Sequence, residues 1–114
     1  MKSRSAKNKG VRLQNWTRDL LLKLAPSLKK DDIRCAIMGE RDEDIKLSPA
    51  AREIYRISVE CKNVEKLNVW NAYDQALDNC PLDCEPVVVF KKNHKTPKVM
   101  VDARFFFKVL SKRG

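Results

Sequence analysis

An α/β fold, with a mixed sheet flanked by helices, is what this sequence predicts, and three observations point to it. Apolar residues recur at three- and four-residue steps from Val11 to Leu24 and again from Leu67 to Leu77, the period of an amphipathic helix. Between and after these stretches lie short runs rich in Ile, Val and Cys, of strand length and bounded by turn residues. The two kinds of segment alternate without an internal repeat over 114 residues, enough for one domain with one modest core.

Residues 1–9 are expected as a flexible basic tail and residues 10–114 as a single domain. Val11, Leu13, Trp16, Leu20, Leu21 and Leu24 mark a helix from Gly10, and Pro26 ends it at about Ala25. After a polar turn at 27–32, Ile33 to Met38 is a short apolar strand closed by Gly39. An acidic turn, Glu40-Arg41-Asp42-Glu43, leads into Asp44-Ile45-Lys46-Leu47, which alternates as a half-buried strand does. Ser48-Pro49 then reads as a capped turn with Pro49 at the first helical position. Ile54 to Lys62 returns to strand character, and Val64 to Asn79 is a second long helix. The unbroken apolar run Pro86 to Phe90 suits a central strand covered on both faces. Its crossover should be right-handed and set it beside strand 54–62. Lys98 to Val101 pairs with it as a hairpin across Asn93–Pro97, and Asp102 caps a last helix carrying Phe105, Phe106, Val109 and Leu110.

Composition narrows the function classes. Hydrophobic residues are 43% of the chain, which argues against disorder throughout, and no apolar run approaches the roughly 20 residues of a membrane helix. Met1 to Ser5 is basic but leads into no apolar segment, so a soluble cytoplasmic protein without membrane association is expected. The net charge is +9, and its placement is uneven. Lys2, Arg4, Lys7, Lys9 and Arg12 open the chain without an acid, and Lys91, Lys92 and Lys95 begin a second basic stretch. Most acids lie in the middle, and five crowd between Glu40 and Glu53. Basic ends around an acidic centre suit a protein that grips phosphates while holding a cation nearby, although basic balance also serves solubility alone. Cys80 and Cys84 could offer two metal ligands, but a structural zinc wants four, and His94 is the only histidine. Cys35 and Cys61 read as small core residues.

The chemistry-bearing stretch is Asp44-Ile45-Lys46, followed sixteen residues on by Glu60-Cys61-Lys62. On a strand Glu60 and Lys62 share a face and Cys61 points the other way. A divalent cation held by Asp44, Glu60 and the Cys61 backbone carbonyl would explain an acid beside a lysine, and an all-oxygen set suits magnesium, with manganese as substitute. Lys62 would orient or deprotonate the attacking water and offset charge developing on a phosphate. The bland reading is a surface Glu/Lys pair on an amphipathic strand. Asp42 competes with Asp44 by strand parity, but the apolar alternation starts directly after Asp44.

This arrangement resembles the PD-(D/E)XK nuclease superfamily, which includes restriction enzymes and archaeal-type Holliday junction resolvases. The likeness runs from about Lys9 to Val101 and implies a restriction-endonuclease-like αβββαβ core. It implies that Asp44, Glu60 and Lys62 are catalytic. Glu43 stands where the name-giving proline would be. Lys9-Gly10-Val11-Arg12-Leu13-Gln14 is similar to the K-G-x-x-x-E of resolvase-like members, with Gln14 in place of the metal-site Glu; Gln14 could touch a metal through water or simply face solvent. Several branches of the superfamily carry a Gln on the helix after E-x-K, and Gln75 stands there. Trp70 and Tyr73 read as core or interface residues, and Ser48 and Asn63 as neighbours of the site.

The function expected from this resemblance is a magnesium-dependent DNA endonuclease, in its narrowest form a structure-selective junction resolvase of phage origin acting in the host cytoplasm. Alternatives are a catalytically inactive nucleic-acid-binding protein of the same fold and a nuclease acting on RNA. Lys2, Arg4, Lys7, Lys9, Arg12, Lys91, Lys92 and Lys95 are the expected DNA contacts, and no small-molecule cofactor is expected. Two cuts on opposed strands call for a homodimer, for which Phe105, Phe106, Phe107, Val109 and Leu110 offer apolar surface.

Overall fold

The computed structural model describes residues 4–37 and 40–112. Lys2, Met38 and Gly39 therefore lie outside the described residues. Helix α1 (Arg4–Leu24) begins six residues before Gly10, so residues 4–9, expected as a tail, form its first turns. Lys, Arg and Ala favour helix, and this stretch lacks only the apolar repeat by which a helix is recognised in sequence. Leu13, Thr17 and Leu21, four residues apart, line its inner side, Leu13 and Thr17 buried and Leu21 partly so, and Ala25 just past its end is buried as well. The buried Thr17 hydroxyl is satisfied by donating to the Leu13 carbonyl at 2.8 Å.

Strands β1 (Ile33–Cys35) and β2 (Ile45–Leu47) form an antiparallel pair with Cys35 opposite Ile45. A short helix, α2 (Pro49–Ile54), follows. Ser48 caps it by accepting from Ala51 N at 3.1 Å and donates to Asp32 Oδ1 at 2.6 Å, so this hydroxyl serves the helix start rather than the Glu60 side chain. Strand β3 (Ile57–Asn63) carries the E-x-K residues. Helix α3 (Val69–Asp78) begins five residues later than Val64, because Asn68 is its cap. Strand β4 (Glu85–Lys91) lies parallel to β3 with Glu60 opposite Val88 and Lys62 opposite Phe90, the pairing expected of the crossover. Strand β5 (Lys98–Met100) closes the hairpin, and Asp102 caps α4 (Ala103–Ser111) by accepting from Arg104 N and Phe105 N.

The strands form two sheets rather than one: β1-β2, and a mixed β3-β4-β5. The join between them runs through Asp44, whose N–H donates to Val59 O at 2.9 Å while its Oδ2 accepts from Cys61 N at 2.7 Å. A side-chain oxygen of Asp44 thus meets the N–H of Cys61, although β2 and β3 are not paired as neighbours in one sheet. Both faces of the three-stranded sheet are covered. Leu13, Val59, Cys61, Val87 and Val89 form a core on the α1 side, and Ala72, Ala76, Val88 and Phe90 form another on the α3 side. The double coverage explains why β4 reads as a continuous apolar run.

Candidate active site

Glu60 and Lys62 project from β3 to the α3 side, while Cys61 between them enters the α1-side core. Burial pushes the Cys61 thiol up to about 12, and it donates to Thr17 Oγ1, so it is a packing group and not a nucleophile. In a strand the N–H and C=O of one residue point to the same edge. The Cys61 N–H meets Asp44, so the Cys61 carbonyl faces that same gap between β2 and β3.

Glu60 is only 6% exposed, an unusual place for a carboxylate without a cation. Its pKa is pushed up to about 7, first by burial and then by the neighbouring Asp44 carboxylate. The Asn79 amide, donating to Glu60 Oε1 at 3.2 Å, and the nearby Lys62 ammonium pull the other way without overcoming burial. A buried acid and a half-buried one side by side, with a lysine near them, form a donor set that a small hard cation would satisfy. Among the described residues no group of three or more His, Cys, Asp or Glu side chains stands ready to hold a metal, so any cation here would lean on the two carboxylates, a backbone carbonyl and water. The four cysteines are free thiols.

The remaining candidates divide. Asp42 is exposed with φ 71°, a left-handed turn position, so the strand parity that made it a rival to Asp44 does not apply. Glu43 is buried and pairs with Arg52 at 3.1 Å, and Arg52 also donates to Ile57 O at 2.7 Å. Gln14 is half-buried beside Leu13, and its amide makes no hydrogen bond to the carboxylates. Gln75 is exposed, and the α3-end residue that does reach Glu60 is Asn79, one turn later. Only its four-residue spacing from Gln75 hinted at that role. Asn63 ties the end of β3 to α1 by donating to Lys9 O at 2.9 Å. Tyr73 packs on the α3-side core, whereas Trp70 is 71% exposed.

The basic residues from distant parts of the chain converge. Lys9 and Arg12 of α1 share a cleft with Asn63 and Lys91, and Lys91, Lys92 and Lys95 share a second with Lys98. Lys7 is exposed on α1, whose first residue is Arg4. Asn63 and Lys91 are register partners, so both clefts adjoin the strand end that bears Lys62. No helix among the described residues is long and apolar enough to cross a membrane. Compared with protein-family models, curated proteins and solved structures, the chain matches none.

Proposed function

We propose that this chain is a magnesium-dependent endonuclease that hydrolyses phosphodiester bonds in DNA, built on a restriction-endonuclease-like core. The observation that carries the reading is the buried Glu60 carboxyl beside Asp44, with Lys62 on the same face and lysine-lined clefts at the same strand end. Asp44, Glu60 and the Cys61 carbonyl would hold the cation. Bound there, magnesium supplies Lewis-acid charge to the phosphate and acidifies a water. Asn79 holds Glu60 in place, and Asp44 is held by the Cys61 peptide, so both acids are positioned before substrate arrives. The Lys62 ammonium opposes negative charge growing on the phosphate oxygens. Lys9, Arg12 and Lys91 anchor the flanking backbone without reading bases.

Incubation with linear duplex, single strand, flap, four-way junction and RNA, each with magnesium or EDTA, tests the reading. Cutting of DNA with magnesium or manganese and none in EDTA is expected, and undiminished cutting in EDTA would sink it. The protein acts as a homodimer on branched DNA in this proposal, since α4 buries none of its residues and exposes Phe106, Phe107, Val109 and Leu110. Sedimentation at micromolar concentration should then give twice the chain mass; a monomer that still makes paired symmetric cuts would refute the dimer.

A further inference from the structure

An open cleft of about 390 Å³ lies at the end of β4, bordered by the segment that follows the E-x-K strand, and its lining is of two kinds. Leu67, Val69 and Phe90 supply apolar surface, and Lys91, Lys92, Lys95 and Lys98 supply positive charge. The one acid in the lining, Glu65, accepts from the Asn93 backbone N–H at 2.7 Å, and the four lysines outweigh its charge. A duplex backbone needs only the lysines. An apolar wall with an aromatic ring is useful to a ligand that is anionic along one edge and flat and poorly hydrated along another. An unpaired nucleotide is such a ligand, with phosphates for ammonium groups and a base for the ring.

Position sharpens the match. Phe90 is the register partner of Lys62 and lies on the same sheet face, one strand spacing of about 4.8 Å away. Phe90 is half-buried, packed against the α3-side core yet still lining the cleft, so its ring is held by the protein. Val64, just past the end of β3, lines the same cleft and is 38% exposed. We propose that this cleft takes one unpaired base of a DNA strand, stacked on Phe90, with its flanking phosphates on Lys91, Lys95 and Lys98. Resting on the nuclease reading for what that strand then undergoes, the assignment makes single-stranded, flap or bubble DNA the preferred substrate over continuous duplex.

Binding in EDTA tests it, because no cleavage enters the measurement. Fluorescence anisotropy compares labelled single-stranded DNA, the matching duplex, single-stranded RNA of the same sequence, and a base-free chain of abasic deoxyribose phosphates of equal length. The wild-type protein should bind single-stranded DNA about tenfold more tightly than the base-free chain, the effect of one stacked base. Phe90→Leu keeps an apolar side chain and removes the aromatic face, so this ratio should fall to about two. Should Phe90→Leu unfold, Val64→Met fills the cleft from an exposed position without changing charge or adding an aromatic face, and should lower the ratio likewise. Lys95→Ala should weaken both single-stranded probes equally and leave the ratio intact. Equal wild-type binding of the base-free chain, a ratio unmoved by the cleft variants, or tighter binding of duplex or of RNA would each overturn the proposal. Base preference without magnesium-dependent cutting would overturn the nuclease reading alone, and cutting without base preference this one alone.

Discussion

Strand β3 does two jobs on its two sides, and alternate residues divide them. Val59 and Cys61 turn towards α1 and join an apolar cluster with Leu13, Val87 and Val89. Ser58, Glu60 and Lys62 turn towards α3, where the Glu60 carboxyl is buried. The α1 side is apolar and self-sufficient; the α3 side holds charge in a place that favours its neutral form. The contrast teaches where stability and chemistry lie in so small a protein. A one-residue slip of register would exchange them, which is why the apolar alternation along β3 matters to the site as much as to the core.

The largest way to break the contrast is to remove the acids. Asp44→Ala or Glu60→Ala should lower magnesium-dependent DNA cleavage by about a hundred- to a thousandfold, of the size seen when electrostatic groups are removed from active sites. The far-UV spectrum should persist. Wild-type rates in both variants would refute the site. Next in size is the opposite side: Leu13→Ala, at a position 2% exposed, should cost about 2–5 kcal/mol in urea unfolding. Cleavage per folded molecule should be unchanged, and a loss confined to activity would show that α1 serves the site more than the core.

The smallest and sharpest test is Glu60→Gln. With a folded pKa of about 7 against the ordinary 4.5, the carboxyl binds its proton more tightly in the folded than in the unfolded state. Its contribution is therefore most favourable below about pH 4.5 and is lost as pH rises through 7. The metal-free variant should match wild type at pH 4.5 and exceed it at pH 8 by on the order of 2 kcal/mol. Thermal melts at the two pH values check this, and equal gaps at both would show that the Glu60 charge costs the fold nothing. Magnesium at pH 8 should narrow the gap by stabilising wild type alone.

What was legible in the sequence was local. Ser48 and Asp102 announce helix starts because a short oxygen-bearing side chain meets the first unpaired N–H groups. The Pro86–Phe90 run announces a strand covered on both faces because it has no polar alternation. Lys62 and Glu60 fall on one side by parity alone. The parts that were hidden depend on distance in space. Asn79 is a polar residue at a helix end until α3 is laid across β3, and Gln75, the more conspicuous amide, ends up exposed. Arg52 reaching back to Glu43 follows from how α2 packs, which no spacing reveals. The strands divide into two sheets with the Asp44 carboxylate accepting from the Cys61 N–H between them, and sequence does not distinguish that from an ordinary strand start.

The two hydrogen bonds that hold the acids also set what they can offer. Asp44 Oδ2 is engaged by a peptide N–H and Glu60 Oε1 by an amide, which leaves the second oxygen of each the more open to a cation. A shared ion would then meet single-oxygen contacts rather than chelating carboxylates. Calcium, with its six to eight ligands and its taste for bidentate acids, is poorly served by such a pair, while a compact octahedral ion that keeps most of its water is served well. Selectivity among cations would in this way be written not in the acids themselves but in the two neutral donors, Cys61 N–H and Asn79, that each occupy half of one.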